Sequence, residues 1–274
     1  MADNGKSVSY KIIDDEPSSS DVSEVSKKKS GRGRRFVFWC IFTCAVFVIS
    51  DIVLLLFFGK IWFVNPPKKV YRKMGVTVSS AQGDITWESI PMQNIDFVFI
   101  RATEGESLTD KKFSYNYDHA YEAGLIVSPM HDLTFSADGK SQAEAFINTV
   151  GEKKDKQLPC TVRIRLYGKY VAVPPEKETV VKILTDFSNE VFEKYGAKPI
   201  IIIDEDLYKK YIFGSFPDSK LCISSVYSKP DETDQNAVFW LFNPKTRING
   251  CTGNGYLDKI TILKSEEEYY DLIY

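Results

Sequence analysis

Residues that commonly bind metal ions are scarce in this 274-residue chain. It contains two histidines, His119 and His131, and five cysteines without any C-x-x-C spacing. A zinc site of cysteine and histidine ligands is therefore not expected, and we predict no metal and no cofactor. An excess of basic residues is also missing, because 35 lysines and arginines face 37 aspartates and glutamates. This balance gives nucleic-acid binding no electrostatic support.

Charge is nearly absent from one long segment close to the N-terminus. Residues 36–58, FVFWCIFTCAVFVISDIVLLLFF, contain a single charged residue, Asp51. As a helix this segment is about 34 Å long, which is enough to cross the hydrocarbon layer of a bilayer. No small-x-small cleavage site follows it, so we predict an uncleaved transmembrane anchor.

The predicted anchor separates parts of different composition. We predict a disordered polar tail at 1–35, a linker at 59–71 and a globular domain at 72–274. Six basic residues precede the anchor and five follow it, which favours a cytoplasmic N-terminus and an extracytoplasmic C-terminal domain by a small margin. Asp51 within the span costs about 3 kcal/mol near the bilayer centre. It is expected to face a membrane partner, or to be accommodated by protonation or by a shift of the span.

From Tyr71 onward, short apolar runs alternate with helix-like segments. The predicted strands are 75–79, 95–103, 125–131, 161–166, 198–204, 220–226, 237–242 and 256–263. The clearest predicted helices are 110–123, 141–151, 176–195 and 205–212. The alternation predicts an α/β domain with a largely parallel sheet, and the number of strands suggests a compact barrel. The last three strands are too closely spaced to carry full crossover helices.

Several blocks of the domain have a distinctive order and spacing, among them GVTVSSAQGDITWESI at 75–90, IDFVFIRATEG at 95–105, DKKFSYNYDHAYEAGLIVSPMH at 110–131, LPCTVRIRLYGK at 158–169 and GCTGNGYLDKI at 250–260. Together they resemble the lysozymes of glycoside hydrolase family 25. The resemblance implies an irregular (β/α) barrel of the TIM type, which in this chain follows the predicted transmembrane helix and polar tail. It also implies cleavage of the muramic acid to glucosamine linkage of peptidoglycan.

The chain departs from this family at its acidic positions. The family has an aspartate where this chain has Thr77, and an Asp-x-Glu in its fourth strand where this chain has Arg163 and Arg165. A last family aspartate corresponds to Tyr256, or to Asp258 if the sequences are offset by two residues. Glycoside hydrolysis needs a carboxylic acid and a second carboxylate. Because arginine stays protonated up to about pH 12, hydrolysis by the family mechanism is not expected.

Arg163 and Arg165 lie two residues apart on one strand, so both should point into the barrel mouth, the opening at the carboxyl ends of the strands. An ion-pair network with Glu104, Asp132 and Asp204 is one interpretation. An anion site for the carboxylates of peptidoglycan or another anionic glycan is a second. A relocated catalytic pair chosen from these three acids is a third. The family commonly has an aromatic residue at the place of Asp132.

Four further residues at the predicted mouth are candidate sugar contacts. His131 could hold a sugar hydroxyl or be a hydrogen-bonded residue of the rim, and Tyr167 and Tyr256 could stack on sugar rings. Trp240 could stack on a sugar or belong to the core, whereas Trp87 should pack against the first helix. Cysteines outside the span allow at most one disulfide, among Cys160, Cys222 and Cys251.

The sequence therefore predicts a membrane-anchored, lysozyme-like domain without catalytic activity. It would bind cell-wall glycan or scaffold an envelope complex. The alternatives are an active muramidase that uses a relocated carboxylate pair, and a structural protein that assembles through Asp51 in the membrane.

Overall fold

The computed structural model describes residues 30–57, 62–230 and 235–273 of the chain. Two compact units are present, Met1–Leu54 and Leu55–Tyr274. The predicted tail lies mostly outside the described residues, as do the last residue of the predicted span and the start of the predicted linker.

One long helix, α1 (Ser30–Phe57), contains the described residues of the first unit. Its stretch Gly33–Phe57 is 25 residues long with a mean hydropathy of 2.7, and none of its most apolar part is buried against protein. A helix of this length and composition could anchor the chain in a membrane, as predicted. The helix begins six residues earlier than expected, so residues 30–35 are helical and do not belong to a disordered tail. The orientation across the membrane stays a prediction.

The described residues of the second unit contain nine strands, and eight of them form a closed barrel. The strands are β1 (Met74–Val78), β2 (Phe97–Glu104), β3 (Leu108–Thr109), β4 (Ile126–Asp132), β5 (Thr161–Ile164), β6 (Ile200–Asp204), β7 (Leu221–Ser224), β8 (Ala237–Thr246) and β9 (Leu257–Ile262). They are ordered β1-β9-β8-β7-β6-β5-β4-β2-β3, and pairing of β1 with β2 closes the barrel. The short strand β3, which was not predicted, extends the hairpin at the end of β2 and lies outside the ring.

Helices cover the barrel unevenly. They are α2 (Phe113–Glu122), α3 (Gly139–Val150), α4 (Lys177–Tyr195), α5 (Glu205–Leu207), which continues as a π-helical turn (Tyr208–Ile212), and α6 (Glu266–Tyr270).

All eight predicted strands are confirmed. The final strand β9 runs antiparallel to both β1 and β8, so it needs no crossover helix on either side.

The barrel interior is apolar at the amino ends of the strands. Alternate residues of β2 point inward, and Phe97 and Phe99 pack there with their ring centroids 5.4 Å apart. Phe239 of β8 lies 5.6 Å from Phe99. A Cβ atom at Gly75 of β1 would overlap the Phe97 ring, which explains the glycine within this strand. The next inward position of β2 is Arg101, so the interior becomes charged toward the mouth.

Candidate functional site

The mouth is dominated by a doubly hydrogen-bonded ion pair between neighbouring strands. Parallel pairing places Arg163 of β5 beside Asp132, the last residue of β4. Arg163 Nε donates to Asp132 Oδ1 at 2.6 Å and Nη2 donates to Oδ2 at 2.9 Å. The third nitrogen, Nη1, donates to Asp258 Oδ2 at 3.1 Å. All three nitrogens of Arg163 therefore donate to carboxylates, which uses three of its five N–H donors.

Asp132 is surrounded by positive charge. Besides Arg163, Arg165 Nη2 lies 3.5 Å and Arg101 Nη1 lies 3.6 Å from Asp132 Oδ2. Burial alone would raise the pKa of this carboxyl group, but the charge and hydrogen bonds of Arg163, with Arg165 and Arg101, lower it below its ordinary value. Asp132 consequently stays ionised and cannot act as a proton donor at neutral pH.

Asp258 lies on the other side of Arg163, at the start of β9. Its Oδ2 accepts a hydrogen bond from Thr77 Oγ1 at 2.9 Å. Burial raises the pKa of Asp258, and Arg163 and Thr77 offset this only in part. Tyr256 instead lies at the edge of the mouth, 37% exposed, with the Arg247 guanidinium 4.7 Å from its ring centre. The two-residue offset, which makes Asp258 the last of the family's acidic positions, stays a prediction.

The guanidinium group of Arg165 is only partly engaged by neighbouring side chains. Its side chain is 49% exposed, and its ion pair with Asp132 is 3.5 Å long. An arginine has five N–H donors, so Arg165 retains donors beyond the one that faces Asp132. Of the two interpretations of the arginine pair, Arg163 fits the internal network and Arg165 retains the properties of an anion site.

Arg101 and Asp110 complete the network, and the sequence analysis did not identify either residue. Arg101 Nε and Nη2 donate to Asp110 Oδ2 at 3.1 and 3.0 Å, and Arg101 Nη1 lies 3.2 Å from Glu104 Oε2. Asp110 also accepts from the backbone N–H of Ser80 at 3.0 Å, which fixes the loop after β1. Arg101 follows Phe97 and Phe99 on the inward face of β2, and this alternation was the available signal.

The mouth contains charges of both signs, as in the ion-pair network that is one interpretation of the sequence. The guanidinium groups of Arg101, Arg163 and Arg165 lie among the carboxylates of Glu104, Asp110, Asp132 and Asp258. Asp204 is exposed at the end of β6 and lines a cleft that also contains Arg163, Arg165 and Asp258. The positive charges of Arg163 and Arg165 are compensated by the neighbouring carboxylates.

Two small clefts remain at the mouth. One of about 260 Å³ is lined by Thr77, Gln82, Arg101 and Tyr256 among others, and one of about 150 Å³ by Asp204, Ser224 and Pro244 among others. Arg163, Arg165 and Asp258 line both clefts and so form the wall between them. Each cleft is below the range of about 300–1,000 Å³ that is usual for ligand sites. The charged side chains thus divide the opening.

Two of the predicted sugar contacts are buried. His131 is fully enclosed: its Nδ1 lies 2.8 Å from Thr103 Oγ1, its Nε2 lies 3.1 Å from Gln142 Oε1, and its ring stacks on Phe187. Burial lowers the pKa of His131 to about 4, so the ring is neutral. Trp240 is 2% exposed and its Nε1 donates to the Ser225 carbonyl at 2.7 Å. Neither position suits contact with a sugar.

The other aromatic candidates differ in exposure. Tyr167 is partly exposed, but its ring stacks on Phe135 and its hydroxyl accepts a hydrogen bond from the Phe135 backbone N–H at 3.0 Å. Tyr256 presents more of its ring at the mouth. Trp87 is 1% exposed and belongs to the hydrophobic core. The cysteines outside α1 are unpaired, and Cys160 and Cys222 are buried.

Comparison with known proteins identifies relatives of this barrel. The family model for glycosyl hydrolases family 25 matches residues 76–251. A family 25 glycosyl hydrolase from Bacillus anthracis has a solved structure that superimposes with a TM-score of 0.68 and 33% sequence identity, covering 73% of this chain and 93% of that one. An autolytic lysozyme from Clostridium acetobutylicum is 25% identical over 188 residues, which are 68% of this chain and 55% of that protein. Lysozyme M1 from Streptomyces globisporus is 38% identical over 88 residues, 31% of this chain and 30% of that protein.

Proposed function

Because this chain belongs to glycosyl hydrolase family 25, we propose that its lysozyme-like barrel binds cell-wall glycan without cleaving it. The relatives named lysozyme suggest peptidoglycan as the glycan. Helix α1 would hold the barrel at a membrane, with the barrel on the outer side where such a glycan is found. Assembly with a membrane partner through Asp51 remains a separate prediction.

The observation that carries this proposal is the occupation of Arg163 by two carboxylates. Arg163 stands where the family has its first fourth-strand acid, and its three nitrogens contact Asp132 and Asp258 at 2.6 to 3.1 Å. Protonation of a leaving oxygen needs a neutral carboxylic acid, and the family resemblance leaves an arginine at both fourth-strand acid positions, Arg163 and Arg165. Arginine cannot supply that proton, because the carboxylates beside it raise its pKa above the already high value of a free guanidinium even though burial acts in the opposite sense.

Binding would depend on Arg165, at the position of the family's second fourth-strand acid. Its half-exposed fork matches the two oxygens of a carboxylate, which peptide-substituted glycans carry in number. Tyr256 offers a partly exposed ring nearby, since both residues line the larger cleft. The ligand would be held at the surface of the mouth, because the deeper charges are already paired.

A retention assay tests binding. The full-length chain in detergent is incubated with insoluble peptidoglycan, and the bound fraction is measured after sedimentation. We expect Arg165→Gln to lose most of the retention, whereas Arg72→Gln should retain it. Arg72 is a matched control, because its side chain is 71% exposed and pairs with Glu266 at 3.5 Å, away from the mouth. Equal retention of the two variants would contradict a role of Arg165.

Hydrolysis by a relocated acid pair is the second candidate function. It is favoured by one observation: Asp258, whose pKa is raised by burial, lines the same cleft as the exposed Asp204. A carboxyl group with a raised pKa close to a second carboxyl group is the pattern of a glycosidase pair. Asp132 is unsuited to the acid role because its pKa is lowered, and both of its oxygens accept hydrogen bonds from Arg163. Glu104 is held by Arg101 at 3.2 Å.

Release of reducing ends from peptidoglycan separates the two functions. We expect none from the full-length chain under conditions in which the Bacillus anthracis family 25 hydrolase is active. Release that disappears in both Asp258→Asn and Asp204→Asn would overturn the proposal in favour of an enzyme. Release that persists in both variants would indicate a contaminating hydrolase and would leave the binding assay to decide.

A further inference from the structure

Aromatic side chains cluster where the chain enters the barrel domain. Trp62 Nε1 donates to the carbonyl of Val226 at 3.0 Å, which ties the entering segment to the loop after β7. The Phe63 ring lies 5.4 Å from Trp62 and 5.3 Å from Tyr227. Phe63 is 59% and Tyr227 is 74% exposed. We refer to Trp62, Phe63 and Tyr227 as the rim aromatics.

The rim aromatics lie at the same end of the barrel as the mouth. Tyr227 follows Ser224, the last residue of β7, by three positions, and Ser224 lines the smaller cleft. The loop after β5 adds two apolar side chains at this end, Val171 and Val173, which are 64% and 73% exposed. Exposed apolar groups concentrated at one end of a protein mark a surface for a partner or a membrane.

Chain length restricts where the rim aromatics can be. Trp62 follows Phe57, the end of the apolar helix, by five residues, and five residues span at most about 18 Å. The apolar stretch of 25 residues is about 37 Å long, longer than the hydrocarbon layer of about 30 Å. An anchored chain therefore keeps Trp62 in or beside the headgroup layer. Tryptophan and tyrosine are enriched in this layer because their rings are apolar with one polar atom.

We propose that the rim aromatics insert into the lipid headgroup layer and hold the barrel with its mouth at the membrane surface. The occupant of this surface is lipid, because the covalent tether keeps it there at all times. The mouth would then reach only ligands within a short distance of the bilayer. This orientation does not depend on glycan binding, so the two proposals can fail separately.

Quenching of tryptophan fluorescence by brominated lipid tests the orientation. The full-length chain, with Trp39→Phe to remove the tryptophan of α1, is reconstituted in phosphatidylcholine vesicles with or without bromine on the acyl chains near the headgroups. Tyr227→Trp is compared with Phe192→Trp. Phe192 is a matched control, because it is 48% exposed near the C-terminal end of α4, where the chain turns back toward the start of β6.

The expected result is that Tyr227→Trp adds emission that brominated lipid quenches strongly, whereas the emission added by Phe192→Trp is not quenched. Quenching that is equal at the two positions, or absent from both, would overturn the proposal.

A second comparison uses the native Trp62 as reporter. Phe63→Ser combined with Tyr227→Ser should reduce its quenching, whereas Phe192→Ser should not. The quenching should persist at high salt, since aromatic insertion does not depend on lipid charge.

Discussion

Replacing Asp132 with asparagine removes the negative partner of the central pair of the mouth. The side chains of Asp132 and Arg163 are 4% and 16% exposed, and their two hydrogen bonds are 2.6 and 2.9 Å long. Loss of this partner leaves a buried guanidinium with Asp258 as its remaining carboxylate, and breaking a buried pair in this way costs up to about 3–5 kcal/mol. At about 2–4 °C per kcal/mol for a domain of this size, the midpoint of thermal unfolding should fall by about 6–20 °C.

Urea unfolding of the full-length chain in detergent, followed by the fluorescence of the buried tryptophans, measures this loss at pH 7. The pKa of Asp132 is lowered in the folded state, so its contribution is present above the ordinary value of 3.8 and disappears as pH falls through the lowered value. The difference between wild type and Asp132→Asn should therefore shrink in acid.

Two variants provide the controls for Asp132→Asn. Lys182→Gln breaks the surface pair between Lys182, whose side chain is 75% exposed, and Asp186. This change should lower the free energy of unfolding by at most about 0.5 kcal/mol. Asp132→Asn combined with Arg163→Met should recover much of the lost stability, because apolar replacement of both members of a buried pair is often neutral. If Asp132→Asn cost no more than Lys182→Gln, the pair would not be a buried structural element and the argument for an occupied Arg163 would fail.

Two further predictions concern pH. Burial lowers the pKa of His131 from 6.5 to about 4, so the folded state excludes a proton that the unfolded chain accepts. About 3 kcal/mol of stability should be lost as pH falls from 6.5 to 4, and His131→Gln should lack this component in urea unfolding at the two pH values. For Asp258, whose pKa is raised, the sign is opposite: Asp258→Asn should be at least as stable as wild type at pH 7, and the difference should shrink as pH falls. A variant less stable than wild type at pH 7 would show that the ion pair with Arg163 outweighs the cost of burial.

Strand order and the inward direction of Arg163 and Arg165 could be predicted because they follow from periodicity and from the family's spacing. The burial of an individual side chain could not be predicted. His131 ends up buried because Gln142 of α3 and Phe187 of α4 cover it, and that helix packing leaves no local signal. Trp240 lies in the run VFWLF, where every residue is apolar, so alternation does not reveal which side faces the barrel.

Two residues of the ion-pair network were not predicted from the sequence, and the reason is different. Arg101 and Asp110 are nine residues apart and meet only because β3 turns back against the end of β2. A two-residue strand carries too little periodicity to be identified from sequence. The counter-charges expected from the sequence, Glu104, Asp132 and Asp204, therefore did not include Asp110, and the third arginine of the network, Arg101, was not expected.

Two departures from the family are thus a single physical change. An arginine at the place of Arg163 cannot be buried without a carboxylate, and Asp132 supplies one from the adjacent strand, at a place where the family commonly has an aromatic residue. The family resemblance thus links the loss of an acid at Arg163 with the loss of an aromatic ring at Asp132. Asp132 and Asp258 use three of the five N–H donors of Arg163. The proposed recognition of carboxylates therefore rests mainly on Arg165, the arginine with half of its side chain exposed.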